Sequence, residues 1–247
     1  MYISTKGLVL REVRYKEADR ILTLYTEQCG KITASAHGAL SKRSKISAAT
    51  QSLTYSDFVL DYRKGVYSVK EATVAEYFSG LRENVENYSL ACYFCEAVDA
   101  LSLEETAERN ILRIVLNAMY ALSTEMYDCR QIKAAFELKL ISAAGFQPAL
   151  EKCCICGAAE PEDPLFCIEN GSICCRKCYN SSIGYSIGID KSVLAAMRFI
   201  TASNIRSYIS FRLPEDSLRI LEKACESFFL NYTGRNFPTL EYWKTVK

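Results

Sequence analysis

The sequence predicts an α+β multidomain protein: a small N-terminal β-barrel, then an α-helical domain carrying an inserted cysteine-rich module. Three observations in the 247 residues predict it. Apolar residues alternate with polar ones up to about residue 79 and recur at helical spacing after it. Seven of the twelve cysteines crowd into the 26 residues from Cys153 to Cys178, between two helical runs.

The barrel comes first. "GLVLREVRY" alternates apolar and charged residues, "RILTLYT" and "KITASAHGA" flank a Gln28-Cys29-Gly30 turn, and "SDFVLDY" and "VYSVKEATV" flank Arg63-Lys64-Gly65. Five short strands with two tight hairpins and a longer connection, "LSKRSKISAATQS", are compatible with an OB-fold β-barrel over residues 1–79. On this pattern alone other small barrels stay open.

Helices follow. "NYSLACYFCEAVDALSL", "EETAERNILRIVLNAMYALS" and "CRQIKAAFELKLISAAG" form the first run, the second opening acidic as a helix N-terminus prefers and the third ending at Gly145. "DKSVLAAMRFITAS" and "PEDSLRILEKACESFFLNYT" form another. Residues 80–150 and 186–247 are therefore expected to be two parts of one helical domain, with a module over 151–185 between them. Cys92 and Cys95 share a helix face with Leu90 and Val98, which reads as core packing.

Within the module two C-x-x-C knuckles stand 18 residues apart, Cys153/Cys156 and Cys175/Cys178. Each knuckle delivers two thiolates from one tight turn, and four thiolates satisfy the tetrahedral preference of Zn²⁺. A structural Zn²⁺ in a four-cysteine, zinc-ribbon-like module follows. Cys174 competes with Cys175 for the third ligand position, and spacing favours Cys175 because Cys174 to Cys178 is one residue too wide.

Charge is divided along the chain. Residues 1–50 carry nine Lys/Arg against four acids, a net +5, whereas residues 80–150 carry six against ten, a net −4. A basic barrel end points to a polyanion, with phosphates bound regardless of base sequence. The candidate DNA-binding residues are Arg11, Arg14, Lys16, Arg20 and Lys31 on strands or their ends, and Lys42, Arg43 and Lys45 in one loop. Tyr15, Tyr25, Phe58, Tyr62 and Tyr67 are candidates for base stacking. The N-terminus has charges every few residues and no segment holds about 18 uncharged apolar residues, so neither export nor membrane spanning is expected and the reading is cytoplasmic.

Catalytic signatures are missing from the sequence. His37 is the only histidine, and no Walker A loop, G-x-S-x-G elbow or H-E-x-x-H occurs, so no catalytic residue is assigned. The alternative, a zinc-ribbon enzyme acting on nucleic acid, would need acidic clusters for Mg²⁺, and the acids of residues 83–108 fall at helix starts and solvent-facing spacings.

"GLVLREVRYKEADRILTLYTEQCGKITASAHGALSKRSK", "FELKLISAAGFQPALEKCCICG", "NGSICCRKC" and "FLNYTGRNFPTLEYWK" stand in the order and spacing of the bacterial RecO recombination mediators, which this chain resembles over nearly its whole length. The resemblance implies an OB-fold, a helical domain and a zinc module. It implies a repair protein without covalent chemistry that binds single- and double-stranded DNA, anneals complementary strands, and works with RecR to load RecA onto DNA coated by single-stranded DNA-binding protein. By the same resemblance the acidic tail of single-stranded DNA-binding protein docks on the helical domain, where Lys133 and Lys139 are the candidate contacts.

Overall fold

The computed structural model describes the backbone of residues 1–247 and every side chain except that of Ser181. Five strands open the chain: β1 (Tyr2–Tyr15), β2 (Asp19–Thr26), β3 (Gly30–Ala36), β4 (Tyr55–Arg63) and β5 (Val66–Glu76). They close into a barrel in the order β1-β2-β3-β5-β4, with β1 pairing β4 and β3 running parallel to β5. This is the OB topology. Alternation drives it: Val9, Leu22, Leu24, Ile32, Ala34, Phe58, Leu60 and Val69 all point inward and are buried.

The chain forms two compact units, residues 1–123 with 237–247, and residues 124–236. The helices expected to form one domain are thus divided between them. In the first unit lie α1 (Val85–Leu101), α2 (Arg109–Ser123) and α6 (Pro238–Val246). Asn84 caps α1, its side chain accepting from the Glu86 and Asn87 N–H groups. α1 packs on β1 and on α6, because its apolar residues surround it rather than forming one stripe. Tyr93 meets Phe237 edge-on at 5.6 Å, and Glu96 Oε2 accepts from the Thr239 N–H (3.2 Å) and hydroxyl. Cys95 is buried and Cys92 partly so, in keeping with core packing; burial pushes the Cys92 thiol up to about 11.

One expected helix starts late. The acidic stretch Glu104–Glu108 lies outside α2, whose first residue is Arg109. Glu105 is left-handed at φ 56°, and its N–H donates to Lys31 O (2.9 Å), which ties the stretch to the barrel backbone. Gly30 permits the approach: at φ 66° a Cβ there would stand 2.0 Å from Thr106 O.

The second unit contains α3 (Cys129–Ala143), α4 (Lys191–Ala202) and α5 (Glu215–Thr233). Its four-stranded sheet is β6 (Ala149–Cys153), β7 (Pro164–Cys167), β8 (Ser172–Cys175) and β9 (Ser186–Gly188), in the order β6-β8-β7-β9. α3 packs against α4 and α5. Arg198 of α4 holds the cysteine module, donating to Leu150 O, Glu151 O and Ala159 O and pairing with Glu160. Among the described residues no helix is long and apolar enough to cross a membrane.

Candidate metal centre and nucleic-acid interface

Cys153 ends β6 and Cys175 ends β8, so a parallel strand pair delivers the first cysteine of each knuckle to the same place. The Sγ atoms of Cys153, Cys156, Cys175 and Cys178 all lie within 4.8 Å of one another. Gly157, at φ 76°, turns the first knuckle back on itself, with its N–H donating to Cys153 O (3.0 Å). The Cys175 N–H points at Cys153 Sγ (3.4 Å). Cys156 and Cys175 sulfurs are 3.8 Å apart, close to the roughly 3.8 Å edge of a tetrahedron with metal–sulfur bonds of about 2.3 Å. The donor set therefore fits a metal ion held by four thiolates.

The strand pleat separates the two adjacent cysteines. Successive side chains of β8 point to opposite faces, so Cys175 joins the cluster while Cys174 turns inward to Cys167, 3.6 Å away and fully buried. Cys154 is exposed on the first knuckle.

Electrostatics favour a cation at the cluster. Burial alone would raise the Cys153 thiol, but the N–H groups of Cys156, Cys175 and Ile155 outweigh it and bring it to about 6. Hydrogen bonding to Cys156 and then burial push Cys178 up to about 12, and burial raises Cys175. Thiols this close cannot all ionise without a positive charge among them.

At the barrel, the β1–β2 turn and the loop after β3 are fastened together. Asp19 Oδ1 accepts from the Gly38 N–H (2.8 Å) and its Oδ2 lies 3.0 Å from His37 Nδ1. The Gly38 hydrogen bond, followed by that of His37, holds the Asp19 carboxyl below its usual range. The Leu40 N–H donates to Ala18 O (2.8 Å). Arg20 Nη1 donates to Ser47 O (2.7 Å) and Thr50 Oγ1 (2.8 Å), and its Nε is 3.3 Å from Glu12 Oε2. Arg14, Lys16, Lys42, Arg43 and Lys45, all exposed, are brought to one end of the barrel by this clamp. Arg11 is exposed further along β1, opposite Thr23. Tyr15 is exposed beside Lys16, whose Nζ sits 5.2 Å from the ring centre.

Several expectations need correction. Arg20 is buried and serves as the clamp, with its donors directed into the protein. Lys31 sits near the opposite turn, donating to Asp99 O (2.9 Å) and pairing with the Asp99 and Glu104 carboxylates. Tyr25, Phe58 and Tyr67 are buried barrel residues, leaving Tyr15 exposed and Tyr62 half-buried. Lys133 is wholly buried, 2.9 Å from Glu137 Oε1 and 2.7 Å from Glu226 Oε2. Lys139 caps the C-terminal end of α4, donating to Ile200 O, Thr201 O and Ser203 O. Neither lysine stands at the rim of a groove, since both head groups are turned into the unit.

Comparison with known proteins agrees with this architecture. Residues 1–78 match the family model described as Recombination protein O N terminal, and residues 82–241 match Recombination protein O C terminal. The chain is 31% identical over 245 residues to the DNA repair protein RecO of Acetivibrio thermocellus, covering 99% of this chain and 97% of that protein. It is 29% identical to the DNA repair protein RecO of Alkaliphilus metalliredigens, covering the full length of both. It is also 29% identical over 246 residues to the DNA repair protein RecO of Clostridium novyi, covering 98% of this chain and 94% of that one. With both halves matched in order across nearly every residue, the chain belongs to the RecO family of DNA repair proteins.

Proposed function

We propose that this chain is a recombination mediator that binds single- and double-stranded DNA without sequence preference, anneals complementary strands and, with RecR, helps load RecA onto DNA coated by single-stranded DNA-binding protein. The observation that supports it best is the clamp of Asp19 and Arg20, which fixes a loop with three cations beside a turn with two more. Phosphate chains are held by such clusters through counterion release, which is blind to base sequence. Cys153, Cys156, Cys175 and Cys178 hold a structural Zn²⁺, and four thiolates leave no coordination position for a substrate water. No covalent step is assigned to the chain. It acts in the bacterial cytoplasm, at the nucleoid. The tail of single-stranded DNA-binding protein docks on the helices by contacts other than Lys133 and Lys139.

Salt dependence tests this reading. Arg11, Arg14, Lys16, Lys42, Arg43 and Lys45 supply six cations, so the log–log slope of single-strand affinity against salt should be about −4, at about 0.7 per phosphate. The K42A/R43A/K45A variant should bind every sequence more weakly, flatten the slope by about 2 and anneal more slowly. An unchanged slope with normal annealing would remove this barrel end from the interface.

A further inference from the structure

Three cysteines of the module stand outside the metal cluster: Cys154, Cys167 and Cys174. Two of them face each other. Cys167 on β7 and Cys174 on β8 are wholly buried with their sulfurs 3.6 Å apart, which is contact without a bond. In the antiparallel register Cys167 pairs with Ser172 and Cys174 with Leu165, so the two cysteines occupy diagonal positions on one face of the hairpin. A sulfenic acid formed on either sulfur therefore has its resolving thiol already in place.

A disulfide fits this pair only under strain. It needs the sulfurs about 2.05 Å apart and the Cα atoms about 4.4–6.8 Å apart, whereas diagonal neighbours in a sheet stand about 7–8 Å apart. Closing the bond therefore shifts β7 against β8. The turn end of the hairpin is pinned to α5: Asn231 Nδ2 donates to Ile168 O (3.4 Å), the Tyr232 hydroxyl donates to Glu169 O (3.3 Å), and a Cβ on Gly171 would stand 2.8 Å from the Phe228 ring. Displacement passes to the open end, where Pro164 pairs with Cys175, the cluster cysteine next in the chain to Cys174.

We propose that Cys167 and Cys174 form an oxidation site that controls the hold on the metal: hydrogen peroxide joins them, and the strained disulfide draws Cys175 out of the cluster and releases zinc. The proposal rests on the metal reading of Cys153, Cys156, Cys175 and Cys178. The Cys174 sulfur attacks one peroxide oxygen, the O–O bond breaks, and a sulfenic acid and one water result. The Cys167 sulfur then attacks the Cys174 sulfur, the S–O bond breaks, and a second water leaves, so that two thiols and one peroxide become one disulfide and two waters. Peroxide enters by local opening of the hairpin, whose strands have four residues each. Strain keeps the bond easily reduced, so a thiol reductant restores the metal site.

The test uses the full chain loaded with zinc and treated with hydrogen peroxide. A chromogenic chelator follows the zinc released, with release in buffer alone subtracted, and mass spectrometry of a non-reducing digest maps the linkages. The natural chain should gain the bond between Cys167 and Cys174 as zinc appears, and a thiol reductant should reverse both. C167A and C174S, each lacking one sulfur of the pair, should show peroxide-dependent release about tenfold slower, because neither can form the bond. A packing defect in either variant raises release in buffer alone, which is subtracted, and so cannot imitate this result. Peroxide-dependent release from both variants at the natural rate, or a digest that joins Cys174 to Cys154 instead of Cys167, would overturn the proposal while leaving the metal centre standing. A natural chain that binds no zinc before peroxide is added would instead bring down the metal reading on which the proposal rests.

Discussion

Replacing Cys153 by Ser should release the metal and unfold the cysteine module, seen as loss of about one equivalent of zinc per chain and as new protease cleavage within residues 149–190. The free energy of a structural zinc site is of the order of 10–16 kcal/mol at neutral pH, comparable with or larger than the whole stability of an ordinary domain, about 5–15 kcal/mol. The module has a small core of Cys153, Leu165, Cys167, Cys174, Cys175 and Ile183, so most of its side chains are themselves thiols. Cys174→Ser is the discriminating control. That side chain faces Cys167 and not the cluster, so zinc should stay, with a loss of about 1–3 kcal/mol from burying a hydroxyl in an apolar site. Zinc retained by C153S and lost by C174S would reassign the ligands. Acid should also release the metal. Cys153 already ionises at about 6, but Cys175 and Cys178 are raised and must each give up a proton. Log affinity should therefore fall by at least about two per pH unit below neutrality, as a zinc-titration series can measure.

Lys133→Met should destabilise the unit spanning residues 124–236 by about 3–5 kcal/mol in denaturant titrations, because it removes the buried ammonium that Glu137 and Glu226 share. Burial pulls the Lys133 ammonium down, but the two carboxylates outweigh it and hold it up at about 12. Its folded value lies above the ordinary 10.5, so the contribution is complete below that pH and fades as pH rises through about 12. The triple change K133M/E137Q/E226Q should recover most of the loss, since a neutral cluster has no unpaired charge to bury. A deficit below about 1 kcal/mol for K133M would mean that water reaches the carboxylates.

The barrel is legible in the sequence because period-two alternation and the Arg63-Lys64-Gly65 turn are local signals. The cysteine cluster is legible for a similar reason: its ligands come in two short, fixed spacings. The preference for Cys175 over Cys174 rests on counting alone, and the physical cause, the pleat of β8, needs the strand to be known. Single cations are not legible. Arg20 and Lys31 look like Arg14 and Lys16 in a sequence, and only the folded loop shows that Ser47, Thr50 and Asp99 occupy their donors. Lys133 and Lys139 mislead for the same reason: Glu137 is four residues from Lys133, but Glu226 is 93 residues away, and the carbonyls that Lys139 donates to are 61 or more residues away. Helix α6 escapes detection because Pro238, Thr239 and nine residues in all give too short a window for periodicity, while its fully buried Trp243 is explained by packing on α1.

Helix α6 also sets an order on how the molecule comes into being. Phe237, Leu240 and Trp243 complete the core around α1, yet 113 residues separate them from Ser123, where the rest of their unit ends. A ribosome adding about 5–20 residues per second makes the barrel and its first two helices wait roughly 6–23 s for that last piece. During the wait the apolar face of α1 that Phe237 and Trp243 will cover stays open to water and to chaperones. The intervening unit has all of its own sequence beforehand and can fold first. Birth of the protein is therefore nested: the inner unit is finished before the outer one can close.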